Sequence, residues 1–178
     1  SLFEIDLKTD EVVFQRDFNK DEAKGMLNDF VCSSDGRSIF IADAGISKES
    51  YAILRYDTRT NQATRHLEGH ASTEPVDLVP VIGGETPLDM PWKVGVDSIA
   101  IRSKVWGSHD VDGVQRPGGE DAGAEKDSSV EELVFSSIYS KHFWTVDTRA
   151  LRLGPDGRDL ALHSVRALGP EGSQSKTV

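Results

Sequence analysis

Three oxygen-bearing side chains stand where apolar strand patterns begin: Asn28 and Asp29 ahead of Phe30-Val31, and Asp97 ahead of Ile99-Ala100-Ile101. Amide and carboxylate oxygens suit a hard cation such as Ca2+, which takes about six to eight oxygen ligands. Asn28, Asp29 and Asp97 are therefore candidate ligand-binding residues, with Asn28 and Asp97 as candidate metal ligands. The same residue types also suit a purely structural part, capping strand ends and bonding neighbouring loops, and both readings stand at this level. Asp43 follows its own strand pattern and reads as a turn former. His109, Asp110 and Asp112 form an Asp-x-Asp-Gly phrase without the later ligands of a calcium loop, which reads as solvated charge. His66 and His70 lie on a strand and the loop after it rather than on one helix face, so a structural role is expected. Trp92, Trp106, Trp144 and Tyr139 could line an aromatic pocket, but isolated aromatics more commonly fill cores and edges. Arg37, Arg55, Arg59 and Arg65 read as strand-surface and turn charges. No nucleophile elbow, phosphate-cradling glycine loop or cysteine pair is present, and no catalytic residue is assigned.

The elements that must position these groups announce themselves by repetition. Leu2-Phe3-Glu4-Ile5-Asp6-Leu7-Lys8, Leu54-Arg55-Tyr56-Asp57-Thr58-Arg59 and Phe143-Trp144-Thr145-Val146-Asp147-Thr148-Arg149 each carry an alternating strand into an Asp and a polar turn. The Asp carboxylate can bond backbone N–H groups two residues on, which suits that switch. Residues 2–18 predict a hairpin turning at Lys8-Thr9-Asp10-Glu11. A fuller unit predicts strands over 29–32, 38–42, 51–57 and 62–67, which is the size of a propeller blade. Residues 70–91 read as an irregular crossing with a short strand at 78–82. A third unit opens at 96–101, breaks at a Gly-, Asp- and Glu-rich stretch over 107–129, and resumes at 132–138 and 141–148. That stretch has too few large apolar residues to offset its ordering entropy, so it is expected to be a flexible insertion. Ala161, Leu162, Val165 and Leu168 share a face, predicting one short helix over 156–168 that stops at Gly169-Pro170. Residues 171–178 form a polar tail.

The expected fold is all-β: a partial β-propeller of about three blades of four antiparallel strands, in a single domain over 1–178. Propellers close with about four to eight blades. Ring closure would then need further sequence or a partner chain, and the open blade edges are expected to invite self-association.

Lys plus Arg total 20 against 30 for Asp plus Glu, a net charge of −10. Such a surface repels polyphosphate, so neither nucleic acid nor an anionic membrane is expected as a partner, and small cationic ligands such as amines are favoured. No apolar run reaches the roughly 20 residues that span a bilayer, and no signal segment is visible. The single cysteine, Cys32, has no internal disulfide partner, and its strand position predicts a buried thiol.

Several phrases, in order along nearly the whole chain, are similar to those of the Yellow and major royal jelly protein family and its microbial relatives. They are Leu27-Asn28-Asp29-Phe30, Ser34-Asp35-Gly36, Ile39-Phe40-Ile41-Ala42-Asp43, Ile53-Leu54-Arg55-Tyr56-Asp57 and Arg65-His66-Leu67-Glu68-Gly69-His70. Gly95-Val96-Asp97-Ser98-Ile99-Ala100-Ile101 follows, then Leu133-Val134-Phe135-Ser136-Ser137-Ile138-Tyr139-Ser140, Trp144-Thr145-Val146-Asp147-Thr148, Leu151-Arg152 and Gly172-Ser173-Gln174-Ser175. The resemblance implies a six-bladed propeller of which this chain holds the middle portion. It also implies secretion and a small-molecule ligand, an aromatic amine among the options, in a central acidic channel. Alternative activities are a Ca2+-dependent lactone hydrolase, since lactonases share the fold, and a dopachrome-type isomerase. A secreted structural protein without a small ligand is the remaining reading. The 107–129 insertion, the absence of an Asn-x-Ser/Thr sequon and the single cysteine depart from the insect members and point to a microbial-type or divergent relative.

Overall fold

In a computed structural model, the three recurring aspartates do the same job. Asp6 Oδ1 accepts from the Lys8 N–H at 2.8 Å, Asp57 Oδ1 from the Arg59 and Thr60 N–H groups at 3.0 Å, and Asp147 Oδ1 from the Arg149 N–H at 2.8 Å. In the first two the turn then closes identically. Asp10 N–H donates to Asp6 C=O at 2.8 Å and Asn61 N–H to Asp57 C=O at 2.9 Å. Asp10 and Asn61 both sit in the left-handed region, at φ 56° and 58°, which short polar side chains tolerate best after glycine. At the third, the Asp147 side chain caps a helix instead.

The structure describes residues 1–45, 47, 50–77, 81, 83–85, 93–104, 130–138 and 140–168. Among these, β1 (Leu2–Asp6) and β2 (Glu11–Arg16) form a two-stranded antiparallel hairpin. Strands β3 (Leu27–Cys32), β4 (Ser38–Asp43), β5 (Ala52–Asp57) and β6 (Gln62–His66) form one antiparallel sheet in sequence order. A second sheet runs β7 (Val96–Lys104), β8 (Val130–Ser137), β9 (Phe143–Asp147) and β10 (Arg166–Leu168), also in sequence order. Between β9 and β10 come α1 (Thr148–Arg152), a 3-10 turn (Gly154–Gly157) and α2 (Arg158–Ser164).

The period-two patterns read from the sequence place the core. On β4, Phe40 and Ala42 face the second sheet, where they join Ile53, Val96, Ile99, Leu133, Phe135 and Val146 in one buried cluster. Strand β7 lies beside β3 and β4, so the two sheets meet face to face along their first strands. On the opposite face of the first sheet, Phe14 of β2 and Phe18 just after that strand meet Tyr56, with ring centroids 6.5 and 6.0 Å away. Stacked, sequential meanders of this kind are the arrangement of neighbouring propeller blades. The fold is thus all-β and propeller-like, and the helices among the described residues are short and near the C-terminus. An ionic clamp ties the sheets: Glu131 accepts from the Ser34 N–H at 2.8 Å, and Arg152 reaches both Asp35 and Glu131 at 3.0 Å.

Two expectations need correction. The helix near the C-terminus is present, but α2 covers only Arg158–Ser164, and Arg166–Leu168 pair with Phe143–Thr145 as the outermost strand. The apolar spacing of Val165 and Leu168 fits either state; an unpaired β9 edge is what the strand satisfies. Cys32 is exposed rather than buried, because Phe30 and Cys32 share the outward face of β3. The insertion at 107–129, the tail at 171–178, the strand expected over 78–82 apart from residue 81, and Trp92, Trp106, His109, Asp110, Asp112 and Tyr139 lie outside the described residues.

His66 is 2% exposed on the core side of β6, its Nε2 bonded to Thr64 Oγ1 at 2.9 Å. Burial, aided by the charges of Arg55 and Arg158, lowers its pKa from 6.5 to about 4. As pH falls below 6.5 the unfolded chain takes up the proton first, so folding stability is lost down to pH 4, by about 3 kcal/mol at most. Urea denaturation of His66→Gln beside the parent should show their stability difference changing by most of that amount between pH 7 and 4.5. A difference that stays constant across this window would remove His66 as the cause.

Candidate functional site

Both strands that carry the candidate residues are bulged at those residues. The β3–β4 register slips between Leu27 and Phe30, freeing Asn28 and Asp29 from the ladder, and the β7–β8 register slips between Val96 and Ser98, freeing Asp97. Bulges re-aim side chains, and they recur beside binding sites. Here they bring together residues 69 positions apart: Asn28 Nδ2 donates to Asp97 Oδ1, and to the Asp97 carbonyl at 3.3 Å.

Asp29 lies alongside with a different task. Its Oδ1 accepts from the Phe30 N–H at 2.9 Å and its Oδ2 from the Ile99 N–H at 3.1 Å. The second of these bonds pins β3 to β7, so Asp29 is the member of the three whose structural part is plain. Asp97 is half-buried and Asn28 exposed. Burial raises the Asp97 carboxyl above its ordinary 3.8, and the nearby charge of Asp29 adds to the rise. A cation beside Asp97 would relieve both effects.

The arrangement can therefore offer a carboxylate and an amide from two different sheets to a positively charged group. Among the described residues no group of three or more His, Cys, Asp and Glu side chains is placed to hold a metal ion. A metal here would take Asn28 and Asp97 as its protein ligands and complete its shell with water or ligand oxygens.

The other candidates do not converge on this place. His66 lies in the core, while His70 Nδ1 sits 2.8 Å from Ser72 Oγ in the following turn. Trp144 packs against the core from β9. Arg55 bonds Ser38 and Asp57 on its own sheet, and Arg37 and Arg59 are exposed. Arg65 and Asp43 overturn their sequence reading. Arg65 is not a surface charge but forms a 2.6 Å ion pair with Asp43, with side chains 8% and 0% exposed. Asp43 also accepts from the Lys24 and Gly25 N–H groups at 3.1 and 3.2 Å, and Arg65 donates to the Glu22 and Ser50 carbonyls at 2.9 and 2.8 Å. No local pattern marks such a pair, since its members lie on strands two apart in the sheet.

Compared with protein-family models, curated proteins and solved structures, the chain matches none.

Proposed function

We propose that the chain is a small-molecule-binding module of the Yellow and major royal jelly type, with Asp97 receiving the cationic head of an aromatic amine and Asn28 and Asp29 positioning it. The observation that supports this is the meeting of Asn28 and Asp97 across two sheets, at bulges in both first strands. A net charge of −10 favours cationic ligands in the same sense. Asp97 would hold the ammonium group, Asn28 would orient the Asp97 carboxylate, and Asp29 would hold β3 against β7 beneath them. Calorimetric titration with dopamine and with serotonin is expected to give binding. Asp97→Asn should weaken it about tenfold or more, the effect of losing a charge-assisted hydrogen bond. No heat with either amine would end this reading.

A second reading is favoured by the raised Asp97 carboxyl beside Asp29, which a divalent cation would neutralise. Ca2+ held by Asn28 and Asp97 would supply Lewis-acid polarisation of a carbonyl, as a lactone hydrolase or dopachrome-type isomerase would require. Asn28 would first have to turn its amide oxygen toward the ion. Under this reading, Ca2+ at about 100 times its dissociation constant adds about 2.7 kcal/mol of stability. Thermal melts should show that gain in the parent and lose it in Asn28→Ala and Asp97→Ala; a gain that persists in both variants places the ion elsewhere.

A further inference from the structure

Between the β1–β2 hairpin and the β3–β6 sheet lies a slot of about 310 Å3. Four aromatic residues line it: Phe3 and Phe14 from the hairpin, Phe30 and Tyr56 from the sheet. Phe14 and Tyr56 hold their ring centroids 6.5 Å apart. Phe3 and Phe30 are 51% and 56% exposed, which leaves ring surface open to a ligand.

Besides the Cys32 thiol, the polar side chains described in the lining are Glu4 and Thr58. The Thr58 hydroxyl already donates to Gly36 C=O at 2.9 Å. Glu4 stands opposite Phe14 in the β1–β2 ladder, so its carboxylate shares the side of the hairpin that meets the sheet. Arg16, opposite Leu2 on that side, is taken by Glu22 at 2.7 Å, and Glu4 has no ion pair among the described residues. A carboxylate without a counter-charge among aromatic rings is complementary to a cation, because ring faces attract cations within about 6 Å of their centres. One carboxylate cannot accept all three N–H donors of a primary ammonium, and donors that leave water unsatisfied are costly. A quaternary ammonium has no such donor.

We propose that this slot binds a quaternary ammonium ion with an apolar body, the charge beside Glu4 and the body against Phe3, Phe14 and Phe30. Its volume is at the lower end of the about 300–1,000 Å3 usual for small-molecule sites. The slot is separate from the Asn28–Asp97 pair. It lies on the Tyr56 face of the β3–β6 sheet, whereas Asn28 turns to Asp97 of β7, which packs on the other face.

The rest of the chain enters elsewhere. Residues between Asp77 and Lys93 leave and return at the 3.0 Å ion pair of those two. The Lys93 C=O accepts from Tyr51, just ahead of β5 and about 17 Å along the strand from Tyr56. Residues 105–129 leave from β7 and return on β8, across the β3–β6 sheet from the slot, and their Asp and Glu would set further negative charge beside Glu4. Residues 169–178 follow β10, the outermost strand of the second sheet, and hold one large apolar side chain, Val178.

The test uses the whole chain and reads Cys32, the single thiol of the sequence, which lines the slot. Its labelling by N-ethylmaleimide, a neutral reagent, is followed while benzyltrimethylammonium is added at constant ionic strength. Labelling is expected to slow about fivefold or more, with a midpoint below about 1 mM. Benzylamine, the same body with a primary ammonium, should need about tenfold more. Glu4→Gln, at an exposed position, should raise the midpoint about three- to fivefold. Phe30→Leu, which keeps apolar cover but removes a ring, should raise it about threefold. No slowing by benzyltrimethylammonium, equal midpoints for the two probes, or midpoints unmoved in both variants would each overturn the proposal. So would a thiol that, in the chain alone, already reacts about tenfold slower than in urea. The slot would then be filled, by a second copy if dilution restores the rate and by the chain's own residues if it does not.

Discussion

Asp43→Ala is expected to lower folding stability by about 3 kcal/mol, because it removes the closest counter-charge of the buried Arg65 and leaves only the partly exposed Glu68 at 3.3 Å. The magnitude follows from what surrounds the pair. Asp43 Oδ2 receives the Arg65 guanidinium at 2.6 Å and the Lys24 and Gly25 N–H groups at 3.1 and 3.2 Å. One carboxylate therefore joins β4, β6 and the connector between β2 and β3. Gly25 passes so close that an added Cβ would sit 2.6 Å from Asp43 Oδ1 and 2.4 Å from Gly45 Cα, so the connector packs tightly against the carboxylate. With typical domain stabilities of about 5–15 kcal/mol, a loss of this size is a large share of the whole. Urea denaturation should place Asp43→Ala well below the parent, with Asp43→Asn intermediate since it keeps the shape and one acceptor. The double variant Asp43→Ala, Arg65→Leu should recover part of the loss, because removing both charges abolishes the desolvation penalty that one alone incurs. A single-variant loss under about 1 kcal/mol, the range of exposed pairs, would mean that the pair is solvated and that this account of it is wrong.

Phe135→Ala should cost about 3–5 kcal/mol, the usual range for truncating a fully buried aromatic ring. Phe135 is 1% exposed on β8 and shares its cluster with Phe40, 0% exposed on β4 of the other sheet. The cavity therefore opens between the sheets rather than within one of them. Two consequences follow from that location. Phe40→Ala and Phe135→Ala should be non-additive, since residues lining one shared space couple by about 0.5–3 kcal/mol. Denaturation followed by far-ultraviolet dichroism and by Trp fluorescence, with Trp144 packed on this core, should give coincident transitions shifted together by the substitution. Two separated transitions, one of them unmoved, would show that the sheets hold independent cores.

Much of the fold was legible because the signals are local. An Asp at the end of an alternating run bonds N–H groups two residues away whatever the rest of the chain does, and all three phrases do so. The four strands between 27 and 66 were readable for the same reason: alternation, then turn residues such as Ser33-Ser34-Asp35-Gly36, with Gly36 at φ 67°. The last strand was not legible. Val165 and Leu168 fit a helical face, and only the open edge of β9, supplied by residues more than 20 positions earlier, decides for a strand. The candidate site was legible in part. Asn28 and Asp97 could be singled out by their positions ahead of apolar strands, but the bulges that turn them toward each other come from pairing with β4 and β8.

By itself, then, the sequence determined the turns, the strand periodicity and the acidic surface, because each depends on neighbours within a few residues or on composition. Tertiary structure decided which charges are buried, which thiol is exposed and which polar groups meet. Arg65 and Arg59 look alike in sequence, yet one is enclosed with Asp43 and the other faces water. The reason is physical: burial and ion pairing depend on which surfaces the sheets bring together across space, and a one-dimensional pattern carries the faces of a strand but not what is laid against them.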